Sequence, residues 1–227
     1  MRFRAPSSLF FLFLALPLLV MLFILFFVGA INEVFQVLGF PPWAAILLLF
    51  GVLLGSFVNI PVWTVANQHE RVAYDTSQFP FRPVKHISEG ETTINLNFGG
   101  AVIPIAISGF LLVQLPVALY ANTLVATVVV TSVCYKLARP VKGMGIALPG
   151  LIPPVLASLL AILVAPQGQA ALVAFIAGVI GVLIGADLLN LPKLADIGAQ
   201  VASIGGAGTF DGIFLTGILS VVLVAIL

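Results

Sequence analysis

The sequence is short of charged residues. Lysine and arginine together number 9 and aspartate and glutamate number 8 among 227 residues, while 61% of the residues are hydrophobic. A soluble domain of this length needs a more polar surface, so the composition predicts a polytopic membrane protein whose main partner is the lipid bilayer. The formal net charge of +1 gives no argument for binding to nucleic acid.

Cysteine and histidine are equally scarce. The single cysteine, Cys134, excludes an internal disulfide bond and a cysteine metal cluster. Both histidines, His69 and His86, stand in one polar segment with Glu89 and Glu91, without metal-ligand spacing on one helix face. We therefore predict neither a metal site nor a cofactor.

Apolar segments recur along the whole chain. Their lengths predict an all-α fold, a polytopic membrane helical bundle of about seven transmembrane helices, in a single integral membrane domain over residues 1–227. The first run is too long for the core of a signal peptide, which favours a retained span. Prolines predict that the third and fifth spans are broken or kinked. The predicted spans cover about residues 9–30, 42–65, 99–120, 122–138, 144–164, 169–191 and 207–227.

The distribution of basic residues predicts an orientation. The polar segment 67–97 is predicted to be an ordered cytoplasmic loop with room for short strands. If the N-terminus is cytoplasmic, seven spans place every lysine and arginine on the cytoplasmic side and leave Glu33 outside. This agrees with the positive-inside rule, so we expect the C-terminus to lie outside.

Two stretches of the chain read alike. G-V-L-L-G at residues 51–55 matches G-V-L-I-G at residues 181–185, and G-G-A follows at 99–101 and at 205–207. The match predicts a parallel internal repeat of spans 2–3 and spans 6–7, related by an axis along the membrane normal. The alternative is that glycine-rich membrane helices resemble each other by chance. In either case the paired glycines predict close helix packing.

Two acids lie inside apolar segments. Asp187 is predicted near the cytoplasmic end of span 6, and Asp211 near the cytoplasmic start of span 7. An ionisable group in a span costs about 2.5–3.5 kcal/mol on insertion scales, which favours a function for both. Two facing carboxylates titrate in separate steps, leaving one ionised base and one protonated acid, as aspartyl proteolysis requires. Small and polar neighbours are predicted to support the pair: Gly185, Asn190, Gly206, Gly208, Thr209 and Gly212.

The stretch G-T-F-D-G-I-F at residues 208–214 resembles the G-x-G-D helix start of intramembrane aspartyl proteases such as presenilin and signal peptide peptidase. The resemblance implies that Asp187 and Asp211 are catalytic and that transmembrane peptides are substrates. The sequence departs from that pattern at Phe210, where those families have glycine, and at Ala186, where they have tyrosine.

The whole chain resembles more closely a prokaryotic membrane family known only as a domain of unknown function. The stretches V-N-I-P, N-F-G-G-A, I-G-A-D-L-L-N-L and G-G-A-G-T-F-D-G-I-F-L-T-G carry this resemblance. It implies a multi-pass protein of a prokaryotic plasma membrane and no established activity.

Other functions stay open at this stage. A small transporter or channel would use the repeat, the broken spans and a polar site at Asn59, Asn95 and Asn97, with an acid that carries a proton. The chain could equally be a non-catalytic subunit that binds other membrane subunits. The acids also have structural interpretations, since Asp211 could cap span 7 and Asp187 could pair with Lys193.

Overall fold

The computed structural model describes residues 7–75, 82–141, 145–194, 201–206 and 212–227. This part of the chain is mostly helical. The α-helices are α1 (Ser7–Val37), α2 (Pro42–Gly55), α3 (Ile103–Gln114), α4 (Tyr120–Leu137), α5 (Ile152–Val164), α6 (Gln167–Val182), α7 (Leu191–Leu194) and α8 (Gly212–Ile226). The strands are β1 (Asn59–Asp75), β2 (Arg82–Asn97), β3 (Arg139–Val141), β4 (Gly145–Ala147) and β5 (Val201–Ile204).

Two short π-helical segments interrupt the regular helices. The first π-turn, Phe98–Val102, leads into α3, and the second π-turn, Leu183–Asp187, continues α6. A 3₁₀ turn, Leu188–Asn190, then joins the second π-turn to α7. Another 3₁₀ turn, Val117–Leu119, precedes α4.

Among the described residues, three helical segments are long and apolar enough to cross a membrane: Ala15–Val37, Val117–Leu137 and Gln167–Lys193. Four shorter apolar helices accompany them: Pro42–Gly55, Phe98–Gln114, Ile152–Val164 and Gly212–Ile226. Each of these segments overlaps one predicted span, although several ends differ, which is consistent with a polytopic membrane protein. The predicted internal repeat is not confirmed and stays a prediction.

The all-α prediction is wrong in one respect, because a β-sheet follows α2. Span 2 was expected to continue to about Val65, but α2 ends at Gly55 and β1 begins at Asn59. The predicted loop at 67–97 belongs to a long antiparallel hairpin of β1 and β2, with a register that runs from Asn59 opposite Asn97 to Asp75 opposite Arg82. Strand β5 pairs in parallel with the last residues of β2, so the sheet order is β1-β2-β5.

Prolines mark helix boundaries where breaks were expected inside spans. Pro104 lies in the first turn of α3, and Pro153 and Pro154 lie in the first turn of α5. A proline is tolerated there because the first amides of a helix have no intrahelical acceptor. The fifth span is therefore a shorter helix that begins at Ile152, preceded by β4.

The chain divides into two compact units, residues 1–49 and 50–227. In the first unit α1 ends in a tight turn. Gly39 adopts the left-handed conformation, with φ 89°, and the Phe40 amide donates to the Phe35 carbonyl at 2.9 Å. The rings of Phe35 and Phe40 meet edge to face at 5.8 Å, which stabilises this helix end.

In the second unit α6 is the central helix, packed against α3, α4, α5 and α8. Small residues allow four helices to pack against α6. Ala174, Ala177 and Gly178 are buried and let the neighbouring backbones approach. A Cβ added to Gly217 of α8 would lie 2.7 Å from Val179 and 2.8 Å from Phe175. Glycine at this position therefore allows α8 and α6 to approach closely, and a larger residue would displace the side chains of Val179 and Phe175.

Candidate functional site

The second π-turn places Asp187 at the end of the long α6 segment. Asp187 is its last residue and is half-buried. A π-turn adds a residue to the helix and disturbs its regular hydrogen bonds, and such segments are frequent at functional sites. Asn190 compensates for the irregular backbone, because its side-chain Nδ2 donates to the carbonyl oxygens of Gly185 at 2.9 Å and Ala186 at 3.0 Å. Asn190 is fully buried.

Gly185 lets the second π-turn contact α4 directly. A Cβ at this position would overlap the Thr131 carbonyl oxygen and lie 2.9 Å from the Cβ of Cys134. One turn earlier, a Cβ at Gly181 would lie 2.7 Å from the Cβ of Val130. The two glycines thus serve helix packing, as their spacing predicted.

Lys193 of α7 contacts a residue of the preceding 3₁₀ turn and a residue of α4. Its ammonium donates to Asn190 Oδ1 at 2.7 Å and lies 4.8 Å from the centroid of the Tyr135 ring. The interpretation of Asp187 and Lys193 as an ion pair stays a prediction.

Helix α7 corrects the predicted end of span 6. The span was expected to stop at Leu191 and Pro192, but α7 continues to Leu194. The 3₁₀ turn ends the earlier hydrogen-bond pattern and restarts the helix, so Pro192 occupies the first turn of α7, where its missing amide proton costs nothing.

Asp211, Gly208 and Thr209 lie outside the described residues, so the predicted acid pair stays a prediction. The helix that follows them is described. Helix α8 packs against α6. A Cβ at Gly178 would lie 3.0 Å from Thr216, and a Cβ at Gly217 would lie 2.7 Å from Val179. Gly212 is the first residue of α8.

The other predicted polar site is partly assembled at the base of the sheet. Asn97 is fully buried, and its Nδ2 donates to Asn59 Oδ1 at 3.1 Å and to the Ser56 carbonyl at 2.7 Å. Ser203 of β5 also donates to Asn59 Oδ1, at 2.8 Å. Sequence reasoning missed Ser203, although its place just before the second G-G-A motif was a signal.

Asn97 also shapes the first π-turn. Its Oδ1 accepts a hydrogen bond from the Gly100 amide at 2.7 Å, which caps the start of the turn. Asn95 lies nearby on β2, and its buried Oδ1 has no hydrogen-bond partner among the described residues. Gly205 packs on Ala101, and both Gly205 and Gly206 have φ above 80°, a conformation that favours glycine.

No group of three or more metal-ligating side chains is found in the described ranges. A comparison with models of protein families finds a match to the one described as "Protein of unknown function (DUF1614)", over residues 53–223, which is more than half of the chain. No curated protein matches the chain, and no solved structure matches it.

Proposed function

On the premise that this chain belongs to the DUF1614 family, a family of unknown function, we propose that it is an intramembrane aspartyl hydrolase. Its substrates would be transmembrane peptides, and Asp187 and Asp211 would be the two catalytic carboxyls. In this reaction an ionised carboxylate takes a proton from water, and a protonated carboxyl donates a proton to the peptide carbonyl oxygen.

The observation that carries the proposal is the position of Asp187 on the second π-turn. The carboxyl lies at the end of a 27-residue apolar segment, Gln167–Lys193, where a charge is costly without a role. The backbone irregularity around it is satisfied by Asn190, and the nearest lysine of its own segment, Lys193, binds Asn190. The proposal therefore rests on the position of the Asp187 carboxyl at the end of this apolar segment.

The packing of α8 against α6 supports the second half of the pair. Asp187 ends the π-turn that continues α6, and Asp211 directly precedes α8 in the sequence. The two acids therefore belong to the ends of two neighbouring helices, and we propose that their carboxyls face each other.

The test uses the full chain reconstituted in proteoliposomes with a library of single-span helical peptides. Cleavage products are identified by mass spectrometry. We expect Asp187→Asn and Asp211→Asn each to abolish cleavage while the thermal unfolding midpoint stays close to that of the wild type. Glu33→Gln is the matched control, because Glu33 is an exposed acid on α1 and should keep full activity. Cleavage that survives both aspartate substitutions would refute the proposal.

A small transporter or channel is the second candidate, and the two π-turns that interrupt the helices favour it. Each π-turn stands beside a buried asparagine, Asn97 or Asn190, and such interruptions supply backbone groups for an ion or solute. Strands β2 and β5, which lead to the two G-G-A stretches, pair in parallel, as a repeat about the membrane normal would require. However, alignment of the two G-G-A motifs would match Leu96 with Ala202, whereas in the sheet Leu96 pairs with Ile204. The strand register therefore differs from the motif alignment by two residues.

Proton flux separates the two candidates. The same proteoliposomes, loaded with a pH-sensitive dye, should show no protein-dependent flux if the chain is a hydrolase. A flux that Asp187→Asn removes, without cleavage of any peptide, would favour the transporter. We propose the plasma membrane of a prokaryote as the location of either activity, as the family resemblance of the sequence implies, with the orientation that the positive-inside rule favours.

A further inference from the structure

Two helix ends meet at one basic surface. Lys193, at the end of the α6–α7 segment, lies over the ring of Tyr135 near the end of α4. Lys136 follows Tyr135 in the chain, and Arg139 opens β3 two residues after α4 ends. Lys136 and Arg139 are exposed and Lys193 is half-buried. The contact between Lys193 and Tyr135 therefore gathers three cations from two elements that are distant in the sequence.

The lengths of the two segments indicate the depth of this surface. The segment Val117–Leu137 has 21 residues, which span about 31 Å at a rise of 1.5 Å per residue. The hydrocarbon core of a bilayer is about 30 Å thick, so Lys136 and Arg139 lie where the headgroups begin. The segment Gln167–Lys193 has 27 residues and places Lys193 beyond the core as well. Tyrosine is enriched at this depth.

The charges on this surface are not balanced within the described part of the chain. Lys136 and Arg139 have no ion-pair partner among the described residues. Asp187 is the acid on the same elements, six residues before Lys193, and one carboxylate against the three cations leaves a net charge of +2. The surface thus keeps a net positive charge at the level where lipid phosphates lie.

We propose that Tyr135, Lys136, Arg139 and Lys193 form a binding site for the headgroup of an anionic phospholipid. The guanidinium of Arg139 and the ammonium of Lys136 donate hydrogen bonds to the phosphate, and the exposed Tyr135 ring packs against the glycerol end of the acyl chains. The depth of the site selects a lipid phosphate over a phosphate ion in solution. The inference is independent of the catalytic role of Asp187.

The test is native mass spectrometry of the full chain released from detergent, with phosphatidylglycerol or phosphatidylcholine added. We expect the wild type to retain phosphatidylglycerol in preference to phosphatidylcholine. A basic side chain near an anionic surface contributes about fivefold in affinity, so Lys136→Gln with Arg139→Gln should reduce phosphatidylglycerol binding by about tenfold or more. Both side chains are exposed, so this double variant should fold.

The matched control removes two cations elsewhere, Arg71→Gln with Lys85→Gln on the hairpin, and should keep wild-type lipid binding. A loss as large in this control would show a general charge effect and overturn the proposal. Equal retention of the two lipids by the wild type would also overturn it. Inorganic phosphate, added at millimolar concentration, should not displace the lipid; displacement would assign the site to a soluble anion instead.

Discussion

Gly185 is the residue on which the packing of the second π-turn depends. An alanine there would bring its Cβ into the Thr131 carbonyl oxygen and to 2.9 Å from Cys134, and the backbone of α4 cannot move aside cheaply. We expect Gly185→Ala to destabilise the protein by about 1–3 kcal/mol, as overpacking does. The measurement is the thermal unfolding midpoint in detergent micelles. Gly109→Ala is the control, since a Cβ at Gly109 meets nothing within 4 Å and should be neutral or stabilising.

Substitution of Asn190 should destabilise the protein about as much as substitution of Gly185, because it removes buried hydrogen bonds. Asn190→Ala removes the donor to two π-turn carbonyls and the acceptor for Lys193, and a buried group left without its hydrogen bond costs about 1–3 kcal/mol. Thermal unfolding should show a lower midpoint. Asn32→Ala is the matched substitution, because the buried Oδ1 of Asn32 has no hydrogen-bond partner in the described structure. A midpoint that falls equally in both variants would contradict this role of Asn190.

At the residue scale, the sequence indicated the packing glycines and the unusual position of Asp187 but not the contacts around them. Glycine spacing reports helix proximity directly, because a missing Cβ is useful only where another element comes close. The π-turn has no such signature in sequence. The engagement of Lys193 by Asn190 and Tyr135 depends on how α4 and α7 meet, which no local pattern encodes.

Among the elements, the helices were easier to predict than the strands. Continuous apolar runs predicted most of the helix ends to within a few residues. The same criterion extended span 2 too far, because Ile60, Val62 and Trp63 continue the apolar run although they are strand formers. The alternation T-I-N-L-N at residues 93–97 was the period-two signal of β2. Its partner β5 is distant in the chain, so the pairing could not be read locally.

The register of the hairpin can be checked with engineered cysteines. Thr64 pairs with Thr93, so their Cβ atoms lie on one face, about 5 Å apart as in other cross-strand pairs. We expect Thr64→Cys with Thr93→Cys to form a disulfide on mild oxidation, detected by the loss of maleimide labelling before reduction. Thr64→Cys with Ile94→Cys is the control, because successive side chains of a strand point to opposite faces. A disulfide that forms only in the control pair would show a register shifted by one residue.

At the scale of the whole molecule, the number of spans decides which side each polar segment occupies. Three helices are long enough to cross a bilayer alone, and four apolar helices are shorter. If only the three long helices crossed, with a cytoplasmic N-terminus, the hairpin with Arg71, Arg82 and Lys85 would lie outside, against the positive-inside rule. If all seven cross, the hairpin is cytoplasmic and the turn before α6 is outside.

Cysteine labelling in intact cells distinguishes these topologies, because the two models assign opposite sides to the same two positions. We expect Gln167→Cys, at the exposed start of α6, to react with a membrane-impermeant maleimide, and Glu91→Cys, at an exposed position of β2, to react only after the cells are permeabilised. The native Cys134 is buried and gives little background. The reverse pattern would place the hairpin and its basic residues outside, and with a cytoplasmic N-terminus it would indicate three spans. In that case the short helices would have to lie within the bundle or at its surface without crossing the bilayer.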